Sequence, residues 1–168
     1  MSIYSISNWA AGTYVLNDIV RYPSNSSIYY YSLTDANTDT PPSAKWGGVS
    51  SINGVTKPSF IWKPNYSVTA KHQPKTTQIG FGDGYLQRVV QNINNDLLEL
   101  ELSFELRKEK ESQAINHFLY ARKAQESFLF TPSSPHDLQK LFICLSWTDT
   151  YVFYGNHLIR AMFQEVPV

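Results

Sequence analysis

Residues 78–88, QIGFGDGYLQR, place Gly80, Gly82 and Gly84 within five positions, followed at once by Tyr85, Gln87 and Arg88. Clustered glycines can cradle a phosphate, because backbone N–H groups then approach an anion at a helix N-terminus. The spacing here is G-x-G-x-G rather than G-x-G-x-x-G, and no Lys-Ser or Lys-Thr pair follows. Asp83 would also set a carboxylate where the anion should sit. Asp83-Gly84 reads instead as a tight-turn signal. Glu99, Glu101 and Glu105 form a second candidate set, since paired carboxylates can divide acid and nucleophile roles in glycoside hydrolysis. The two-residue period of a strand explains their spacing with solvated side chains alone. His72, His117, His136 and His157 show no short ligand spacing,. Ser103, Ser127 and Ser146 lack the G-x-S-x-G setting of a hydrolase nucleophile,. Cys144 is the single cysteine and lies in the apolar run KLFICLSW, so it reads as a buried packing residue that can form neither an internal disulfide nor a zinc site,. No motif supports catalysis, a cofactor or a metal, and the chain reads as a non-enzyme.

The chain around these residues has 168 positions, 42% of them hydrophobic and 14% aromatic, which suits a folded, core-forming protein,. Fourteen basic residues balance 14 acidic ones, so no net basic field attracts nucleic acid,. No apolar run approaches membrane-spanning length and no signal-peptide pattern opens the sequence, which predicts synthesis and folding in a cytoplasm.

Residues 1–48 are aromatic, short-stranded and nearly free of helix signals. YVLNDIVRY and SIYYYSL read as strands, Asn17-Asp18 and PSNSS as turns, and TDANTDTPPSAKW as an irregular loop,. Trp9, Tyr14, Tyr22, Tyr30 and Trp46 must supply much of the core of so small a unit. Residues 49–59 are rich in glycine and serine and read as a linker.

Residues 60–168 follow different periods. In LLELELSFELR, Leu98, Leu100, Leu102, Phe104 and Leu106 share one face, while Glu99, Glu101, Ser103, Glu105 and Arg107 share the other, the pattern of a half-buried antiparallel strand,. In KEKESQAINHFLYARKAQ, Ile115, Phe118, Leu119 and Arg122 recur at helical spacing, with acids early and bases late as the helix dipole favours,. SFLFT, KLFICLSW and HLIRAMFQEV read as further strands. The fold class predicted is α+β, mostly β: a small all-β N-terminal module, then a β-sandwich or partial barrel with one packed α-helix.

From Phe60 to Val166 the chain resembles the minor tail protein M family of lambda-like phages, which corresponds to the distal tail proteins of other siphophages. The resemblance is carried, in order, by FIWKP, QIGFGDGYLQR, LELELSF, a helix ending in INHFLY, SFLFTPSSP, a strand with LSW, and IRAMFQEV. It implies a structural virion protein at the tail tip, a homo-oligomeric ring, hexameric by resemblance, that joins the tail tube protein to the tail-tip hub protein. Phe81, Asp83, Tyr85 and Arg88 are then presented together at a loop or strand edge, either as a subunit interface, where Tyr and Arg are enriched, or with Phe81 and Tyr85 packed in the domain's own core.

Residues 5–47 resemble the chitin-binding-like modules of carbohydrate-binding families 5 and 12, through NWAAGTYVLNDIVRYPSNSSIYYYSL and the closing PPSAKW. Asn17-Asp18 stands for the family's Gly-Asp, and Ser32, Leu33 and Thr34 stand where its tandem stacking aromatics lie. This leaves Tyr29 or Tyr31 as the stacking face for a weak host-surface glycan contact. The alternative function is accordingly a carbohydrate-binding adhesion module.

Overall fold

The computed structural model describes residues 6–16, 18–90, 94 and 96–167; Asn17, expected in a turn, lies outside the described residues. Strands β1 (Ile19–Arg21), β2 (Tyr29–Ser32) and β3 (Trp46–Gly47) form a small antiparallel sheet in the order β1-β2-β3. Val20, Tyr30 and Trp46 bury its own cluster, with Trp9, Tyr14 and Tyr22 packed around it. Tyr14 meets Trp46 edge-on at 5.2 Å, so the expected aromatic core is present. Gly47 and Gly48 let β3 lie against β2. A side chain at Gly47 would strike the Tyr31 ring, and one at Gly48, where φ is +146°, would strike the Tyr29 carbonyl,.

The stretch read as a linker is a hairpin, β4 (Val49–Ile52) and β5 (Val55–Pro58), turned at Asn53-Gly54 with both residues at positive φ. Asn-Gly is a strong hairpin signal, and here it outweighs the flexible composition around it. The chain then straps across the main sheet. Phe60 N–H donates to the Leu129 carbonyl at 2.8 Å, and Asn65 N–H to the Ser103 carbonyl at 2.8 Å. Between them Phe60 and Trp62 point into the core.

That main sheet has five antiparallel strands in the order β10-β11-β12-β9-β6: β6 (Thr69–Lys71), β9 (Glu99–Lys108), β10 (Phe128–Phe130), β11 (Lys140–Phe153) and β12 (Asn156–Glu165). Between β6 and β9 a separate two-stranded hairpin is inserted, β7 (Thr76–Phe81) and β8 (Tyr85–Val90). Between β9 and β10 runs the helix α1 (Glu109–Arg122). The predicted alternation of β9 holds from Leu98 to Phe104, all buried. It breaks at Leu106, which is 66% exposed and sits at φ +55°. The cause is a bulge: the register with β12 jumps from Ile159↔Phe104 to His157↔Arg107, so one extra residue shifts the pleat and turns Leu106 outward,.

Helix α1 buries the four residues its spacing predicts, Ile115, Phe118, Leu119 and Arg122. It begins with Glu109 and Glu111 in the first turn and ends with Arg122 in the last, and Lys123 closes it in the left-handed conformation,. Its apolar side packs on Phe60, Phe104, Phe128 and Phe163 in an edge-to-face aromatic cluster, with Phe128 and Phe163 only 4.9 Å apart,. Among the described residues no helix is long and apolar enough to cross a membrane.

The N-terminal unit shares this core. Ile6 and Tyr29 are buried within the same cluster as Phe60, Trp62 and Phe118. The Tyr29 hydroxyl and His117 Nδ1 share a hydrogen bond. The Arg122 guanidinium lies 3.5 Å over the Phe118 ring, donates to the Phe118 carbonyl at 2.8 Å and reaches the Ser27 carbonyl at 3.4 Å. Burial lowers its pKa to about 10,. Burial also holds His117 below the ordinary histidine value, with Arg21 and Arg122 adding to the effect. A neutral His117 therefore suits the folded state, and unfolding takes up a proton. Stability is expected to fall as pH drops below about 6.5 and to level off once the folded-state pKa is passed,. Thermal melts at stepped pH on the wild type and His117→Gln check this: the acid limb should be shallower in the variant, and equal limbs would dismiss His117 as its source.

Candidate functional site: an exposed hairpin arm

The glycine cluster closes the β7–β8 hairpin. Thr-Thr-Gln-Ile and Tyr-Leu-Gln-Arg-Val-Val supply strand-forming residues on either side,. Gly82–Gly84 make one 3-10 turn between them, with Asp83 at φ +64° and Gly84 at φ +78°. Only Gly84 of the three glycines combines a positive φ with the turn's closing position, where a Cβ would be strained,. No helix follows, so the phosphate-loop geometry is absent.

The register runs from Thr76↔Val90 to Phe81↔Tyr85, and directly opposite residues share a face,. One face carries Thr77 with Val89, Ile79 with Gln87, and Phe81 with Tyr85. The other carries Thr76 with Val90, Gln78 with Arg88, and Gly80 with Leu86. Phe81 is 51% exposed and Tyr85 66%, with ring centroids 5.9 Å apart. These two rings therefore lie outside the domain's core. Ile79, Leu86, Val89 and Val90 are exposed as well. A two-stranded hairpin standing alone is marginal in water, and this one exposes apolar side chains on both of its faces,.

A second exposed apolar group sits at the far end of the β11–β12 hairpin: Tyr151, Val152, Phe153 and Tyr154. Sequence reading ended the strand at Trp147 and missed it. Its signal was TYVFYGN, a β-branched and aromatic run closed by a glycine turn,.

The remaining candidates resolve into structural roles. Glu99 and Glu101 lie on the solvent side of β9 and share Lys71, at 3.7 Å for Glu99 and closer for Glu101. His72 bonds Asp96 at 2.9 Å with the His136 ring tilted against it at 5.5 Å, and His157 bonds Asp149 at 3.1 Å. No group of three or more His, Cys, Asp or Glu side chains among the described residues could hold a metal ion. Cys144 is buried, and that burial pushes its thiol up to about 12, leaving little thiolate for nucleophilic chemistry.

Of the two expected sugar-stacking residues, Tyr29 is corrected by the structure, while Tyr31 is half-buried. Tyr29 is 1% exposed, with Trp62 edge-on at 5.6 Å, and has no face to offer a pyranose ring. Strand alternation puts Tyr29 and Tyr31 on one side of β2, but that side meets the second unit at Tyr29 and β3 at Tyr31. Ser32 is buried and structural: its hydroxyl donates to the Thr34 carbonyl at 2.7 Å and accepts from Asn37 Nδ2 at 3.0 Å.

Residues 58–167 match the family described as phage minor tail protein. The chain is 28% identical over 91 residues to the tail tip protein M of Escherichia phage lambda, covering 54% of this chain and 81% of that protein. Among solved structures, the tail of an empty GTA particle with C6 symmetry overlaps 77% of this chain and 88% of its own, at 8% identity and a TM-score of 0.46. The resemblance of residues 5–47 to sugar-binding modules lies outside the matched span. The FIWKP strap, the glycine-turned arm, the alternating strand and the packed helix all fall inside it, and the chain belongs to the phage minor tail protein family.

Proposed function

We propose that this protein is a structural subunit at the distal end of a phage tail, where copies associate into a ring that joins the tail tube to the tip hub. The observation that carries the reading is the arm: Phe81, Tyr85 and their neighbours are displayed in water by a hairpin that its own domain does not cover. Phe81, Asp83, Tyr85 and Arg88 are the interface residues, with the aromatic pair as anchors and the two charges setting orientation. Family membership and the lambda relative support the tail assignment. The ring, its hexameric copy number, its place at the tip, and contacts with tube and hub proteins are parts of the proposal.

The experiment is complementation of a phage lacking this gene with Phe81→Ser plus Tyr85→Ser. Exposed substitutions shift stability by about 0.5 kcal/mol or less each, whereas interface anchors are worth about 2 kcal/mol or more each. The variant should melt like the wild type yet fail to restore tails. Normal tails from this variant would reject the arm as an assembly surface.

A further inference from the structure

The solvent side of the main sheet holds a groove of about 490 Å³ whose lining includes Glu101, Ser103, Glu105, Thr148, Arg160 and Met162. These residues alternate with the buried ones: Arg160 is opposite Ser103 and Met162 opposite Glu101, while Ala161 opposite Leu102 faces the core. No residue of the β7–β8 arm lines the groove. The arm carries two charges, Asp83 and Arg88. Neither has an ion-pair partner among the described residues, and the same holds for Glu105 and Arg160 in the groove. Glu101 differs, being already held by Lys71.

We propose that the arm of one copy seats in this groove of a second copy, with Arg88 paired to Glu105 and Asp83 to Arg160. The arm presents one charge of each sign, and the groove presents the two opposite charges. Leu86, on the same face of the arm as Arg88, meets Met162 on the groove floor. Coverage by the neighbour removes Leu86 and Val90, the apolar residues of this face, from water and leaves the Phe81–Tyr85 face turned outward for a further contact,. Because arm and groove are different surfaces, the contact is heterologous: each copy gives one arm and receives another. Such a contact propagates from copy to copy and closes into a ring when its rotation divides the circle. This assignment rests on the ring reading above and identifies which surfaces make it.

Charge reversal tests the pairing. The wild-type chain, Arg88→Glu, Glu105→Arg and the double variant are each purified, checked for an unchanged melt, and weighed by light scattering alone and after recovery from tail-forming cells. Each single reversal sets like charges against each other and should weaken association at least about tenfold, while the double variant should recover it. An oligomer indifferent to both single reversals, or one not recovered in the double variant, overturns the arm-in-groove contact and leaves the tail reading standing. A wild-type chain that stays monomeric both alone and in tail-forming cells removes the ring itself, and this contact with it.

Discussion

Leu100→Asp is expected to abolish folding. Leu100 is 0% exposed, pairs with Phe163 on one side and Ala70 on the other, and sits in the aromatic cluster under α1. A carboxylate there meets no donor and no counter-charge, and burying it unpaired costs several kcal/mol. A domain of this size holds only about 5–15 kcal/mol in total, so the variant should be insoluble or lack a cooperative melt. The neighbouring change Glu101→Gln touches the opposite face. It removes an exposed ion pair with Lys71, and a pair held in water adds little to stability,. Circular dichroism melts of both variants check the ranking, and a severe Glu101→Gln beside a mild Leu100→Asp would mean the strand is placed one residue out of register.

The residues that dictate local period were the legible ones. Leu98 to Phe104 alternate because a strand with one wet face leaves no other choice, and Ile115, Phe118, Leu119 and Arg122 recur because a helix has one buried stripe,. The arm was legible as a turn from Asp83-Gly84, but its exposure was not, since Ile79, Phe81 and Leu86 look like core residues by type alone. Leu106 escaped because a bulge is set by pairing with β12, and its own neighbours in sequence carry no mark of it. Tyr29 escaped for a related reason. Alternation assigns it a side of β2, yet only the approach of Trp62 and His117, distant in sequence, decides whether that side is wet. The charges of the proposed contact were visible in part: Asp83 and Arg88 stand out beside the glycines, while Arg160 sits in an unremarkable strand and gains meaning only opposite Ser103.

Removing the N-terminal unit tests how far that shared burial matters. The composition of residues 49–59 predicts separable units, in which residues 59–168 fold alone. The packing leads to a different expectation. Without residues 1–58 the Trp62 and Phe118 rings lose Tyr29, the core loses Ile6, and the Arg122 guanidinium loses the Ser27 carbonyl while remaining buried against Phe118. The β4–β5 hairpin is lost too, and with it the Gly48 carbonyl that accepts from Ser59 N–H at 2.8 Å. Truncating one large buried aromatic costs about 3–5 kcal/mol, so Tyr29→Ala in the full chain should already lower the melting temperature markedly, whereas Tyr31→Ala, half-buried against Gly47, should cost less. The chain of residues 59–168 loses the tyrosine and its surroundings together and is expected to show no cooperative melt, with apolar dye binding from the uncovered Trp62 face. Calorimetry on the full chain, the two variants and residues 59–168 separates the two views. If residues 59–168 melt as sharply as the full chain, and Tyr29→Ala is no worse than Tyr31→Ala, then the N-terminal unit is an appendage and the core under α1 is complete without it.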